Sequence, residues 1–161
     1  MNLRIRPFDK RDVNDLVQLS LLAWEPVFVA WQRILGPRLY PIAVSPDWRK
    51  SQADVVEKAC ANEKLTTWVA EVGGKAVGFV AYKVNDDSKI GEVYLLAVHP
   101  EYQNRGIGTA LNLLALEKLK ESGMKLAMVG TGGDEGHAPA RRSYEKAGYT
   151  GLPTVRYYKE L

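Results

Sequence analysis

The sequence predicts an α/β fold, a mixed and mostly antiparallel sheet with a central βαβ unit flanked by helices. Three observations predict it. Four segments of strand character, at residues 3–7, 66–71, 76–84 and 90–98, come before a glycine-bearing turn at 103–109. That turn opens a long amphipathic segment. A short apolar run at 125–129 follows, so strand 90–98, the helix and strand 125–129 form a parallel pair with a right-handed crossover.

Taken in order, Leu3, Ile5 and Pro7 alternate with Arg4 and Arg6, as in a half-buried strand. Asp9 caps a helix from Lys10 whose apolar positions Val13, Leu16, Val17, Leu19, Ser20 and Ala23 keep helical spacing, and which is expected to end by Pro26. Phe28, Trp31, Ile34 and Leu35 suggest a short second helix; Gly36-Pro37 breaks it, and Pro41 and Pro46 mark an irregular connection. A third helix at 51–62, capped by Asp47 or Ser51, carries Val55, Val56 and Ala59 on one face. Trp24, Phe28, Trp31 and Trp48 fall in or beside this region, either packing a core or lining a pocket.

Gly73-Gly74 joins two strands as a hairpin, and Asn85-Asp86-Asp87-Ser88 turns into the next. The helix after the glycine turn uses Ile107, Ala110, Leu111 and Leu114 as its inner stripe and ends near Gly123. Leu113 and Leu116 point elsewhere, toward another element or a second subunit. A helix at 138–147 has Pro139 in its first turn and Gly148 as its cap. Residues 149–150 and 155–159 are expected to close the sheet as a final hairpin.

A chain of 161 residues suits a single domain, 1–161, with one substantial core. Its net charge of +3 is small and interspersed, which argues against nucleic acid. Cys60 is the only cysteine, so no intramolecular disulfide forms, and with two histidines it gives no metal-ligand spacing. Residues 1–10 lack an apolar leader core and no apolar run approaches membrane length. The expectation is a cytoplasmic protein without a membrane segment or a metal.

The chemistry centres on Gln103-x-x-Gly106-x-Gly108. A strand, a tight turn and a helix start bring unpaired backbone N–H groups to one point, an arrangement that suits a pyrophosphate. Glycines that merely turn a strand into a helix are the plainer alternative. The motif resembles the coenzyme A signature Gln/Arg-x-x-Gly-x-Gly/Ala of the GCN5-related N-acetyltransferases. Val98, Pro100, Glu101 and Tyr102 before it, and Tyr144-Glu145-Lys146-Ala147-Gly148-Tyr149 after it, are similar to two further blocks of that family.

The resemblance implies acetyl-CoA as co-substrate, its pantetheine arm along the backbone of Leu96, Ala97 and Val98. Its phosphates would meet Gln103, Asn104, Arg105, Gly106, Ile107, Gly108 and Thr109. It further implies that the Leu96 N–H polarises the thioester carbonyl and that Tyr144 protonates the leaving thiolate; a core tyrosine with a satisfied hydroxyl is the alternative. Seven residues before that tyrosine the family mostly has asparagine on the cofactor, whereas this chain has His137, which can hydrogen-bond, titrate or cap the following helix. Arg141, Arg142 and Lys146 are weaker phosphate candidates than Arg105.

Strand alternation puts Glu92, Tyr94, Leu96 and Val98 on one face. A carboxylate in an apolar strand needs a partner, a wet end or a function. Glu92 falls where histone-modifying members of the family keep their general base, and an amine with a pKa of about 10.4 needs one. Its Cα lies roughly 13 Å from that of Leu96 at about 3.3 Å per residue, so a water relay is expected. Asp134 and Glu135 either recognise a cationic amine or are ordinary acids at a helix start.

These readings converge on an N-acetyltransferase moving an acetyl group from acetyl-CoA directly to a primary amine, of a small molecule in preference to a protein N-terminus or lysine. The resemblance leaves a homodimer open. A non-catalytic CoA-binding regulator is the reading from another class. A nucleotide module ranks last, since the lysine and hydroxyl of a P-loop are missing.

Overall fold

The computed structural model describes residues 2–44 and 46–161. Five strands lie in the order β1-β2-β3-β4-β5: β1 Leu3–Pro7, β2 Thr66–Val72, β3 Lys75–Asn85, β4 Ile90–Val98 and β5 Leu126–Val129. The first four pair antiparallel and β5 runs parallel to β4, as the chain order predicted. Helices α1 (Val13–Ala43) and α2 (Trp48–Ala61) cover one face, burying Leu16, Leu19 and Val56 against Phe79, Ala81, Leu95 and Ala97. Helix α3 (Ile107–Glu121) covers the other, burying Ile107, Leu111 and Leu119 against Val80, Tyr82 and Val93. Helix α4 (Ala138–Lys146) packs beside α3.

Three expectations are corrected. Helix α1 does not end at Pro26 but continues through it, with its break at Gly36 (φ 68°). An interior proline costs about 3 kcal/mol. Burying Val27 and Phe28 just beyond it, each contributing about 1.5–3 kcal/mol, outweighs that cost, and Phe28 also stacks on Trp48 at 4.3 Å. The inner stripe of α3 is the i, i+4 row Ile107, Leu111, Ala115 and Leu119, while Ala110 and Leu114 are only half-buried.

The final hairpin does not form. Residues 149–161 contain no strand, and 151–161 are exposed throughout. Gly151 and Pro153 interrupt the run, and an ion pair of Arg38 with Glu160 at 2.7 Å holds the tail's end beside α1. The sheet therefore ends at β5.

The entry of α1 is fixed by Arg6. Its guanidinium donates to both oxygens of Asp12 at 2.8 Å and to Glu71 at 2.8 Å, while the Asp9 N–H donates to Asp12 at 2.8 Å. Arg6 holds the Asp12 carboxyl below the ordinary carboxylate range, against burial pushing it up. A carboxyl whose pKa is lower folded than unfolded stabilises above about pH 4, and that stabilisation is lost as pH falls. Asp12→Ala is expected to lower unfolding stability by about 2–3 kcal/mol at neutral pH and to flatten the loss below pH 4. Urea unfolding at the two pH values checks this, and a neutral-pH change under about 0.5 kcal/mol would contradict it.

Candidate functional site

Pairing between β4 and β5 stops at Val93↔Val129, although β4 runs on to Val98. The β5-side edge of residues 94–98 therefore has no strand partner. A cleft of about 590 Å³ opens there, walled by Val93 to Val98, by Gly130 and Thr131 after β5, and by the starts of α3 and α4. Ligand sites at diverging strand ends follow from this geometry.

A β-bulge sets which side chains face the cleft. Ala81 pairs with Leu95 but Tyr82 with Val93, leaving Tyr94 as the extra residue. Val93 accordingly packs toward α3, whereas Leu95 and Ala97 pack toward α1 and α2. The unbroken alternation expected from the sequence is thereby corrected: Glu92 lies on the opposite face from Leu96 and Val98. Its carboxylate is ion-paired with Lys83 at 2.8 Å, and it is not among the residues walling the cleft.

The glycine turn sits at the cleft's floor. Gly106 is the N-cap of α3 at φ 80°, a left-handed conformation that glycine adopts without strain. No side chain caps α3, so the N–H groups of its first turn are left for a ligand. Gln103 Nε2 donates to the Val98 carbonyl at 3.0 Å, tying the turn to the end of β4. Gln103, Asn104, Gly106, Gly108 and Thr109 line the cleft with Leu96, Ala97 and Val98. Ile107 instead enters the core, and the Arg105 guanidinium lies 5.4 Å from the Tyr102 ring centroid. His99 accepts from the Glu101 N–H, a structural part.

The opposite wall joins α1 to the loop after β5. Asp134 Oδ2 lies 2.7 Å from His137 Nδ1 and accepts from Trp31 Nε1 at 3.1 Å. Burial pushes the Asp134 carboxyl up, but the His137 ring and the Trp31 N–H together hold it below its ordinary range. Arg141 Nη1 donates to the carbonyls of Gly132 and Asp134 at 2.6 and 2.7 Å, fastening the loop to α4. A side chain on Gly132 would strike both Asp134 and His137. Glu135 lines the cleft and is ion-paired with Arg33 at 2.7 Å. His137, Arg142 and Lys146 line the cleft.

Tyr144 also lines the cleft, and its side chain is buried beside Tyr149. Burial, with Tyr149 adding to it, pushes its hydroxyl up to about 12, so it keeps its proton throughout the neutral range. The structure thus brings together Leu96, Ala97, Val98, most of the 103–109 turn, His137 and Tyr144, and leaves Glu92, Arg105 and Ile107 outside the wall. Sequence reasoning missed Gln52 on α2, which lines the cleft with Trp24 and Val55. Gln52 is 7% exposed and its Nε2 has no hydrogen-bond partner among the described residues. Its helical spacing from Val55, Val56 and Ala59 was the available signal.

Comparison with known proteins bears on the whole of this arrangement. Residues 28–149 match the model of the Acetyltransferase (GNAT) family. A mycothiol acetyltransferase from Thermomonospora curvata is 40% identical over 83 residues, covering 52% of this chain and 27% of that protein. Another, from Streptomyces coelicolor, is 30% identical over 115 residues, covering 67% and 37%. The chain thus spans well under half the length of these relatives. Over nearly its full length it shares the fold of a PaiA N-acetyltransferase from Thermoplasma acidophilum solved with coenzyme A, with TM-score 0.70, 18% identity and coverage of 96% and 94%. The aminoglycoside enzyme AAC(6')-Iy with a CoA bisubstrate analog gives TM-score 0.65, 16% identity and coverage of 100% and 99%. With the family model matched across most of its length, from Phe28 in α1 to Tyr149 beyond α4, the chain belongs to the GNAT acetyltransferase family.

Proposed function

We propose that this protein transfers an acetyl group from acetyl-CoA directly to the primary amine of a small molecule. The observation that carries the reading is one cleft where the open edge of β4, the uncapped start of α3 and the buried Tyr144 meet. These residues fit coenzyme A. The β5-side edge of Leu96 to Val98, which has no strand partner, suits the amides of a pantetheine arm, and the α3 N–H groups with Gln103, Asn104, Gly106, Gly108 and Thr109 suit a pyrophosphate. Arg105, just outside the wall, would meet the phosphates from the rim.

In this reading the co-substrate supplies a thioester, and the chain orients it. The Leu96 N–H donates to the thioester carbonyl and stabilises the charge that develops on its oxygen. The Tyr144 hydroxyl gives its proton to sulfur as the C–S bond breaks, and regains one from nitrogen as the C–N bond is completed. One further proton must leave the ammonium first. Glu92, held by Lys83 outside the cleft, enters only through a water relay.

The acceptor side is walled by Trp24, Pro26 and Val27 of α1 and by Gln52 and Val55 of α2. Those mostly apolar walls, with one buried amide lacking a partner, support a compact acceptor carrying an oxygen for Gln52 to bind. The matched relatives are named for mycothiol, also a small molecule. A homodimer belongs to the same reading: β5 is the sheet's last strand, and Leu113, Leu126 and Met128 are exposed. The cytoplasm is the compartment proposed, resting on a lone unpaired cysteine, Cys60. Among the described residues no helix is long and apolar enough to cross a membrane.

Thiol release from acetyl-CoA in the presence of glucosamine, neamine, spermidine or a lysine peptide tests the reading. Turnover with one of the first three supports it; turnover with the peptide alone would replace the small molecule with a protein acceptor. Tyr144→Phe is expected to lower kcat by about 100-fold while leaving acetyl-CoA affinity within about twofold. Unchanged turnover would remove its role. Gln52→Leu is expected to raise the amine KM about tenfold with acetyl-CoA affinity unchanged, the effect of one lost hydrogen bond of about 1.4 kcal/mol. An unaltered KM would take Gln52 out of the acceptor site.

A further inference from the structure

Three side chains from separate elements meet behind the cleft wall, of which His137 lines the cleft itself, and the transfer as proposed gives them no task. Trp31 comes from α1, Asp134 from the loop after β5 and His137 from the start of α4. We infer that His137 is the base that takes the proton from the acceptor ammonium, with Asp134 as the positioning carboxylate and Trp31 as the donor that fixes it. The inference rests on the acetyl-transfer reading and replaces the water relay to Glu92 as the route for the ammonium proton.

The geometry supports this in several ways. His137 lines the same cleft as Leu96 and Tyr144, which Glu92 does not. The Asp134 carboxylate accepts from Nδ1–H, so the lone pair of the neutral ring resides on Nε2. When Nε2 takes a proton, the new positive charge lies against a carboxylate whose side chain is only 7% exposed. The Trp31 N–H donates to the same oxygen, Oδ2, at 3.1 Å, while Oδ1 accepts from the His137 backbone N–H at 3.3 Å, so both oxygens of the carboxylate are held.

The surrounding charges leave the pair to itself. Glu135, next in sequence to Asp134, is engaged by Arg33. Arg141 directs Nη1 at the carbonyls of Gly132 and Asp134 and not at the Asp134 carboxylate. From α4, Arg142, Tyr144 and Lys146 face the same cleft, and Glu135 lines it from the loop before that helix. The lack of a side chain on Gly132 gives the ring and carboxylate their space.

The step is balanced. His137 Nε2 takes one proton from R–NH3+, leaving the lone pair with which nitrogen forms the C–N bond, and later gives that proton to solvent. The second nitrogen proton returns to Tyr144, which has given its own to sulfur as the C–S bond breaks. One amide, one thiol and one released proton result.

The test compares wild type with His137→Asn, Asp134→Asn and Trp31→Phe. The readouts are kcat/KM for the amine among the four above that turns over, followed from about pH 5.5 to 9.5, and acetyl-CoA affinity by calorimetry. His137→Asn is expected to lower kcat/KM about 100-fold and to abolish the acid limb of the profile, with acetyl-CoA affinity within about twofold. Asp134→Asn is expected to move that limb to lower pH, because a neighbouring negative charge favours the protonated ring. Trp31→Phe is expected to lower the rate about fivefold and keep the limb.

An acid limb that survives in His137→Asn, or a rate loss matched by an equal loss of acetyl-CoA affinity, would overturn the inference and return His137 to cofactor binding. Nitrogen NMR of the two imidazoles, assigned through His137→Asn, gives a readout that does not depend on turnover. A neutral His137 ring carrying its proton on Nδ1 is expected; a ring protonated on Nε2 would overturn the assignment. Wild type that releases no thiol with any amine would fail the transfer reading itself and this inference with it.

Discussion

The site depends on β4 and β5 parting company after Val93↔Val129. Parallel strands held together to their ends would satisfy each other's backbone groups and leave nothing for a ligand. Here β5 is only Leu126–Val129 while β4 runs to Val98, so backbone polar groups at 94–98 are left to water or a partner. The Tyr94 bulge, one residue into that stretch, re-aims the strand so that Leu96 and Val98 turn toward the α3 side. The uncapped start of α3 then lies at the end of the same strand, fastened by Gln103 to Val98. The open strand edge and the uncapped helix start, which the proposed reading gives to the pantetheine arm and the phosphates, thus follow from one interruption in a sheet.

The second wall depends on α1 surviving Pro26. If the helix stopped there, Trp31 would not reach Asp134, and the loop after β5 would lose its tie to the acceptor side. Burial of Val27, Phe28 and Ala30 carries the helix through. Gly136 meets it at Pro26, where a side chain would collide with the Pro26 carbonyl and the Val27 backbone. The cleft wall from α1 and the Trp31–Asp134–His137 contacts are therefore one packed unit, which in the proposed reading links the fit of an amine to the placement of His137.

Much of this was legible in the sequence. Strand alternation, the Gly73-Gly74 turn and the Gln103-x-x-Gly106-x-Gly108 signature located the sheet and the glycine turn that opens α3 at the cleft, since each depends on local chemistry that residue type reports directly. What was not legible depends on distant contacts. The bulge at Tyr94 is a matter of register with β3, which alternation within one strand does not encode, and so Glu92 was placed on the wrong face. Proline at 26 reads locally as a stop, and only tertiary burial reverses it. The tail beyond Thr150 has strand-like residues, yet Pro153 and the Arg38–Glu160 pair keep it off the sheet. Asp134, Trp31 and His137 are up to 106 positions apart by number and show no spacing that would join them.

The central claim is that the interrupted sheet and the α3 start form an acetyl-CoA site, and calorimetric titration with acetyl-CoA tests it most directly, with Gly106→Asp beside wild type. Gly106 has open space around it, so the aspartate side chain meets no neighbour, but φ 80° strains any side chain there by about 1–2 kcal/mol, and Gly106→Asn carries the same strain without the charge. The account predicts saturable one-site binding to wild type, weakened at least about 50-fold in Gly106→Asp, a change of about 2.3 kcal/mol, and weakened far less in Gly106→Asn. Absence of saturable binding to wild type, or equal binding by Gly106→Asp, would contradict it.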